Sequence, residues 1–162
     1  GRDNKVPTTI AKQLALYVVL YSPLQMAADL PEHYEQRPDA LSWIEAVGVD
    51  WEQSRTVHAQ IGDYVTVARQ ERGTGEWFVG SITDETGRVL PLHLDFLDAD
   101  TPYLAQIWRD ADTADWQANP HALTQESRIV RMGDVMDLRL APGGGTAIHL
   151  RPATNEETRM SE

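Results

Sequence analysis

The spacing of apolar residues predicts a helix between Thr8 and Tyr21. Apolar side chains recur every three or four positions, Thr8 or Thr9 supplies a capping hydroxyl, and Pro23 ends the helix. From Leu14 to Tyr21 the apolar and aromatic residues are continuous, so the helix has no polar side. A helix that is hydrophobic all round is a buried helix, so this one is expected to need protein on every side.

A second apolar run, Leu24–Ala28, is too short for a helix and predicts a buried strand that ends at Asp29. Another helix is predicted from Pro38 to Val47, because proline favours the first helical turn and Gly48 follows as a stop signal. The order helix, short buried strand, helix is typical of an α/β barrel or a doubly wound sheet.

From Arg55 onward the hydrophobic period becomes two, and turns rich in Gly, Asp and Pro separate the runs. Many short alternating strands in succession predict a mainly β architecture, an antiparallel β-sandwich. The strands are predicted at Thr56–Gln60, Tyr64–Arg69, Trp77–Thr83, Val89–Phe96, Tyr103–Arg109, Ala122–Val130, Val135–Leu140 and Thr146–Arg151.

The two patterns divide the chain into residues 1–54, a sandwich over residues 55–152, and a polar, frayed tail over residues 153–162. A complete (β/α)8 barrel takes about 250 residues, so the first segment can supply only the last helix-strand-helix part of one. We therefore expect the chain to be the C-terminal end of a larger protein. The alternative is that the first helix seals one sheet of the sandwich or a dimer interface.

The charge balance excludes several classes of partner. The 162 residues carry 14 Lys and Arg against 25 Asp and Glu, a net charge of -11, which disfavours nucleic acid and anionic membrane surfaces. There is no Cys, so thiolate metal sites and a Cys nucleophile are excluded. The most apolar run is too short to span a bilayer, and no signal peptide is visible at the start of the chain.

Several blocks of the sequence resemble the C-terminal portion of glycoside hydrolase family 97. The first block resembles the closing segment of that family's catalytic barrel, and the others resemble its C-terminal sandwich. The blocks are Ala11–Glu32, Val49–Trp51, Gly62–Arg69, Trp77–Glu85 and Leu140–Gly145.

The resemblance implies an N-terminal β-sandwich, a central (β/α)8 barrel and a small C-terminal sandwich. It also implies a bacterial exo-acting α-glucosidase or α-galactosidase, exported to the periplasm, with bound Ca²⁺. The family's catalytic carboxylates and calcium ligands lie on earlier barrel strands and have no counterpart here. This chain is therefore expected to hold no catalytic residue and no metal, and to act on an oligosaccharide only together with the rest of the enzyme.

Three residues are candidates for contact with substrate. Asp29 follows the predicted barrel strand, whose C-terminal end would face the active site, and Met26 would line the pocket floor. The competing interpretations are a loop cap or salt bridge for Asp29 and core packing for Met26. Trp116 lies in a long polar loop, where its ring could stack on a sugar.

Two hypotheses follow for function. In the first, the chain is the C-terminal part of an α-glycoside hydrolase that removes terminal α-linked hexoses. In the second, it is a stand-alone carbohydrate-binding or structural β-sandwich. The buried first helix favours the enzyme fragment, because a free binding module does not need it.

Overall fold

A computed structural model of the chain describes residues 6–26 and 31–160. Antiparallel strands are its main regular structure, and helices precede and follow them. The elements are α1 (Ile10–Val19), α2 (Pro31–Glu35), α3 (Pro38–Ala46), β1 (Trp51–Gln60), β2 (Tyr64–Glu71), β3 (Trp77–Thr83), β4 (Arg88–His93), β5 (Tyr103–Asp110), β6 (Leu123–Val130), β7 (Val135–Leu140), β8 (Gly145–Pro152) and α4 (Asn155–Met160).

The strands form a six-stranded sheet in the order β1-β2-β3-β8-β5-β6 and a two-stranded sheet of β4 and β7, all antiparallel. The main core lies between them. On β3 and β8 one set of alternate side chains, including Val79 and Ile148, points into this core. Leu92 and Leu138 face them from the small sheet. The mainly β, antiparallel sandwich predicted from the sequence is confirmed.

The opposite face of the large sheet is covered by α1 and α3. Trp43 on α3 lies 5.2 Å from Trp108 on β5 and 5.9 Å from Phe78 on β3, measured between ring centroids. Its indole N–H donates to the carbonyl of Leu14 at 3.0 Å, and the indole N–H of Trp108 donates to the carbonyl of Asp39 at 2.7 Å. Both helices are thus joined to the sheet through buried aromatic rings with satisfied polar groups.

Most predicted strands agree with the structure, but β1 begins at Trp51, ahead of the expected start at Thr56. Its pairing with β2 shifts register between Trp51 and Gln53 and again between Thr56 and His58. Each shift inserts a residue that breaks the period of two, so the alternation that reveals other strands is absent here.

The strand predicted over Leu24–Ala28 is wrong in its described part, since residues 24–26 form no strand. The backbone groups there make local hydrogen bonds instead. The Ser22 hydroxyl donates to the carbonyl of Leu24 at 2.6 Å, and the Leu24 N–H donates to that hydroxyl oxygen at 3.3 Å. A strand needs a neighbouring strand to bond its backbone, and none is supplied at this point by the described residues.

In this chain α1 is not covered on every side, so the expectation that it needs protein all round stays a prediction. Leu20 and Tyr21, just past α1, are 61% and 66% exposed.

The tail predicted to fray contains α4, held at its start by a capping box of Thr154 and Glu157. The sequence Thr-Asn-Glu-Glu carries that signal. No helix in the described ranges is long and apolar enough to cross a membrane.

Candidate functional site

An open apolar groove runs along the side of α1 that faces away from the sheet. We call it the α1 groove; it encloses about 670 Å³. Helix α1 forms one wall, and α2, α3 and the segment after α1 form the other. The apolar and aromatic side chains that line it include Ile10, Leu16, Tyr17, Leu20, Met26, Tyr34 and Ile44.

The groove exists because α1 carries apolar residues on two faces and the sheet covers only one of them. Leu14, Ala15 and Val18 are buried against the sheet. Leu16 and Tyr17 point the other way and remain partly exposed. The unbroken apolar run seen in the sequence is therefore a helix with one covered face and one open face, and an open apolar face of this kind marks an interaction site.

A second cavity, of about 590 Å³, continues the groove past the start of α1. Ile10 and His121 line both, so the apolar surface extends along the whole helix. The backbone N–H of Thr9 donates to the carbonyl of Gly143 at 3.0 Å, and that of Ile10 donates to the carbonyl of Pro120 at 2.8 Å. These bonds fix the start of the groove to two loops of the sandwich.

Thr9 is the N-cap of α1, as its sequence suggests, and its hydroxyl accepts the N–H of Lys12 at 3.2 Å. The ammonium group of Lys12 donates to the carbonyl of Thr83 at 2.6 Å, which ties the first turn of the helix to β3. Burial lowers the pKa of Lys12, against the opposing attraction of the Asp84 and Asp110 carboxylates.

Asp110, at the end of β5, is a buried carboxylate beneath the same end of α1. Its Oδ2 accepts the backbone N–H groups of Ala141 at 2.9 Å and Gly145 at 2.8 Å. Burial raises the pKa of Asp110, while the hydroxyl of Thr9 and the two amides oppose that shift. The carboxylate thus shapes the turn into β8 on which the N-cap residue rests.

Of the predicted site residues, the structure describes Met26 and Trp116, which lie at opposite ends of α1. Asp29 lies outside the described residues, so its role stays a prediction. Met26 lines the α1 groove and is 78% exposed, which excludes core packing within this chain. Trp116 is half-buried at the other end of α1, where a β-carbon on Gly143 would lie 2.7 Å from the Trp116 Cβ. Its role toward a sugar also stays a prediction.

The described residues do not form a metal site, since no three His, Cys, Asp or Glu side chains among them are placed to hold an ion. Sequence reasoning missed the second wall of the groove, formed by Tyr34 and Ile44. No pattern in the sequence indicates that α2 and α3 turn these side chains toward α1.

Known proteins resemble the chain over most of its length. The family described as "Glycosyl-hydrolase 97 C-terminal, oligomerisation" matches residues 50–151. A retaining alpha-galactosidase from Bacteroides thetaiotaomicron is 32% identical over 143 residues, which cover 88% of this chain and 21% of that protein. A probable retaining alpha-galactosidase from Streptomyces bingchenggensis is 29% identical over 147 residues, with the same coverage of 88% and 21%.

Solved structures of glycoside hydrolases also match the chain. A glycoside hydrolase family 97 enzyme from Pseudoalteromonas sp. strain K8, in complex with acarbose, superposes with a TM-score of 0.89 at 47% identity, over 91% of this chain and 23% of that one. A beta-arabinopyranosidase shares the fold, with a TM-score of 0.71 at 23% identity over 88% of this chain and 21% of that one. The chain spans about a fifth of the length of the curated relatives it matches. Since the family match covers well over half of the chain and includes every strand but the last residue of β8, the chain belongs to the C-terminal domain family of glycoside hydrolase family 97.

Proposed function

We propose that this chain is the C-terminal part of an exo-acting α-glycoside hydrolase, an α-glucosidase or α-galactosidase that removes terminal α-linked hexoses from oligosaccharides. The similarity to retaining alpha-galactosidases and to an enzyme that binds acarbose supports this activity. Hydrolysis of a glycosidic bond requires two carboxylates on opposite sides of it, and we expect both to come from the preceding catalytic barrel.

The role of this chain is to close and support that barrel, and the α1 groove is the observation that carries this role. The occupant we infer is the upstream part of the same enzyme. Val6 itself lines the groove, so the chain that leads into α1 lies at this face. Covering the groove would remove the exposed apolar surface of Leu20 and Met26 from water, which favours association by about 25 cal/mol per Å².

Activity is tested with the natural full-length protein and with the isolated 162-residue chain on aryl α-glucosides and aryl α-galactosides. We expect turnover by the full-length protein on at least one of them and none by the isolated chain. Turnover by the isolated chain would contradict the assignment of the carboxylates to the upstream part. Full-length protein that is folded but inactive on both substrates would contradict the proposed reaction.

The docking role is tested by Leu16→Asp in the full-length protein, with Ile61→Asp as the matched control. Leu16 lines the α1 groove, whereas Ile61 is fully exposed at the tip of the β1–β2 hairpin. A carboxylate placed in a dry interface costs several kcal/mol, so Leu16→Asp should lower the melting temperature and the activity together. The control should change neither. Equal behaviour of the two variants would show that the groove faces solvent in the full enzyme.

We further propose that the full-length enzyme binds Ca²⁺ through its upstream part and resides in the periplasm. Both proposals rest on the resemblance to the family. Calorimetric titration of the full-length protein and of the isolated chain with Ca²⁺ tests the first, and we expect binding only by the full-length protein. Fractionation of the source cells tests the second.

Contact between copies of the enzyme is a second candidate role, because the family description includes oligomerisation. The surface we propose for it is the outer face of the β4–β7 sheet, which lies on the opposite side of the sandwich from α1. Val89 and Val135 are about half exposed there. Sedimentation of full-length Val89→Asp/Val135→Asp should show a smaller species than the unmodified protein. An unchanged species would exclude this face.

A further inference from the structure

The resemblance block Gly62–Arg69 ends on a buried arginine that the proposed docking role does not explain. We propose that Arg69 is a positioning residue: from β2, on the face of the large sheet that α1 covers, it holds the last turn of α1 and, through it, residues 20–26 at the C-terminal end of the α1 groove. This inference rests on the proposed function where it concerns catalysis. Its structural part rests on the hydrogen bonds of Arg69 alone.

The guanidinium of Arg69 reaches from β2 to the end of α1. Its Nε–H donates to the carbonyl of Val18 at 2.6 Å, and an Nη2–H donates to that of Val19 at 3.4 Å. An Nη1–H donates to the hydroxyl of Ser54 on β1 at 2.6 Å, which orients the fork. Arg69 is only 8% exposed, so these bonds lie in a largely dry environment, where an unpaired donor or acceptor is costly.

These contacts replace the usual end of a helix. The last four carbonyls of a helix have no partner unless a cap supplies one, and α1 is followed by no glycine. Here the carbonyl of Leu16 accepts the N–H of Leu20 at 2.9 Å. The carbonyl of Tyr17 accepts the side-chain amide of Gln25 at 3.2 Å. The last two carbonyls are left to Arg69, so the sandwich completes the helix.

The charge of Arg69 is balanced by dipoles and a ring. Its partners in the described part of the chain are neutral oxygens, and the partial negative charge at a helix C-terminus attracts a cation. The guanidinium carbon lies 5.6 Å from the ring centroid of Tyr21, close enough for a cation–π contact. Burial lowers the pKa of Arg69, yet a guanidinium remains charged at every physiological pH. Arg69 therefore fixes Tyr21 as well as the helix end.

The segment that Arg69 holds, residues 20–26, ends at Met26, which is one of the residues predicted to contact substrate. Gln25 also reaches the carbonyl of Ser22 at 3.4 Å, so the turn after α1 is bonded to itself and to the helix. It is otherwise exposed, and Met26 lies at its end in the α1 groove. Loss of Arg69 would free the helix end and let this segment shift relative to the barrel.

The experiment uses the natural full-length protein and its variants Arg69→Lys and Arg69→Met, with Arg88→Lys as matched control. Arg88 is also a partly buried sandwich arginine beside a tyrosine ring, 5.3 Å from Tyr64, but its hydrogen bonds go to residues 63–86 and not to α1. Two readouts are taken well below every melting temperature: amide exchange of the peptide over residues 20–26, and kcat and KM separately on the aryl α-glycoside that is turned over.

Arg69→Met should speed exchange of residues 20–26 about tenfold or more and raise KM about tenfold, the scale of one lost hydrogen bond to a charged group. For Arg69→Lys, the exchange rate and KM should lie between those of Arg69→Met and those of the unmodified protein, because one ammonium group cannot bind both carbonyls. The control should stay within about twofold in both readouts. Unchanged exchange in Arg69→Met would overturn the proposal. Faster exchange with an unchanged KM and a lowered kcat would overturn the proposed effect of Arg69 on substrate binding. A smaller fraction of folded enzyme lowers the measured kcat but leaves KM unchanged. If the unmodified protein hydrolyses neither substrate, the proposed function fails while the exchange result still decides the structural claim.

Discussion

Gly80 on β3 lies directly beneath the backbone of Ala15 on α1: a β-carbon at residue 80 would be 2.5 Å from the Ala15 carbonyl oxygen. Gly145 on β8 does the same at the start of the helix, where a β-carbon would lie 2.7 Å from the Cα of Lys12. Two neighbouring strands thus present bare backbone to α1, which lets the helix lie close enough to bury Ala11 and Ala15 completely.

Replacing Gly80 with alanine should destabilise the chain by about 1–3 kcal/mol, because a methyl group cannot fit without moving the helix backbone. The matched control is Gly48→Ala, whose β-carbon would also meet an atom at 2.5 Å. That atom is Oε1 of Glu71, the end of a flexible side chain that can swing away. Urea unfolding of both variants compares the costs, and equal costs would contradict the close approach of α1.

Asp110→Ala should cost about 1–3 kcal/mol for the buried amide of Gly145 and less for the partly buried amide of Ala141, since both lose their acceptor. Asp110→Asn retains an oxygen acceptor and should cost less. Urea unfolding of the two variants at neutral pH measures the difference. A near-neutral Asp110→Ala would mean that the turn into β8 does not depend on this carboxylate.

The contribution of Asp110 to the free energy of unfolding should decrease as the pH rises. Its pKa in the folded state is raised by burial, so its favourable contribution is complete below the ordinary aspartate pKa and is lost as the pH rises through the folded-state pKa. The free energy of unfolding of Asp110→Asn, relative to the unmodified chain, should therefore increase as the pH rises above the ordinary aspartate pKa. Asp84→Asn is the opposite control, since Arg88 holds the pKa of Asp84 at about 2 and its contribution is lost only as the pH falls. A flat difference for Asp110→Asn would exclude a raised pKa.

Most strands can be predicted from the sequence, including Trp77–Thr83, which is buried on both faces and whose two predicted ends are confirmed. Val135–Leu140 alternates without a break, and both of its predicted ends are confirmed, whereas the bulged start of β1 is not visible in the pattern. The site is harder to predict, because its geometry depends on contacts distant along the chain. Arg69 binds carbonyls 50 and 51 residues away, and nothing local to either sequence shows it. Leu24–Ala28 is too short for a helix after Pro23, which favours a strand, but the length of a run cannot say whether neighbouring strands are present.

Glu157→Gln should fray α4 while leaving the sandwich intact. Glu157 accepts the N–H of Thr154 at 2.8 Å and two donors of Arg151, and Arg151 holds the pKa of Glu157 at about 2. Because this pKa is lowered, the contribution is present at neutral pH and is lost as the pH falls below the ordinary glutamate value toward 2. Amide exchange over residues 155–160 measures the effect. Glu156→Gln, a change at the exposed neighbouring acid, should leave that exchange unaltered, and equal fraying in both would assign the effect to charge alone.

A chain shortened to residues 55–152 should be far less stable than one of residues 6–160, although it keeps nearly all of the β strands. The shortening removes Trp43 and Trp51, and it exposes the face of the sheet where Phe78 and Trp108 are now buried. Each large aromatic ring contributes about 3–5 kcal/mol when its packing is lost, which compares with the whole stability of a small domain. Calorimetry and size-exclusion chromatography of both chains measure this, with residues 51–152 as the control that restores Trp51 but not α1 and α3. The prediction would be wrong if residues 55–152 melted cooperatively as a monomer at the same temperature as residues 6–160. The sandwich would then be stable without the helices, and the aromatic cluster would not join the two parts of the chain into one core.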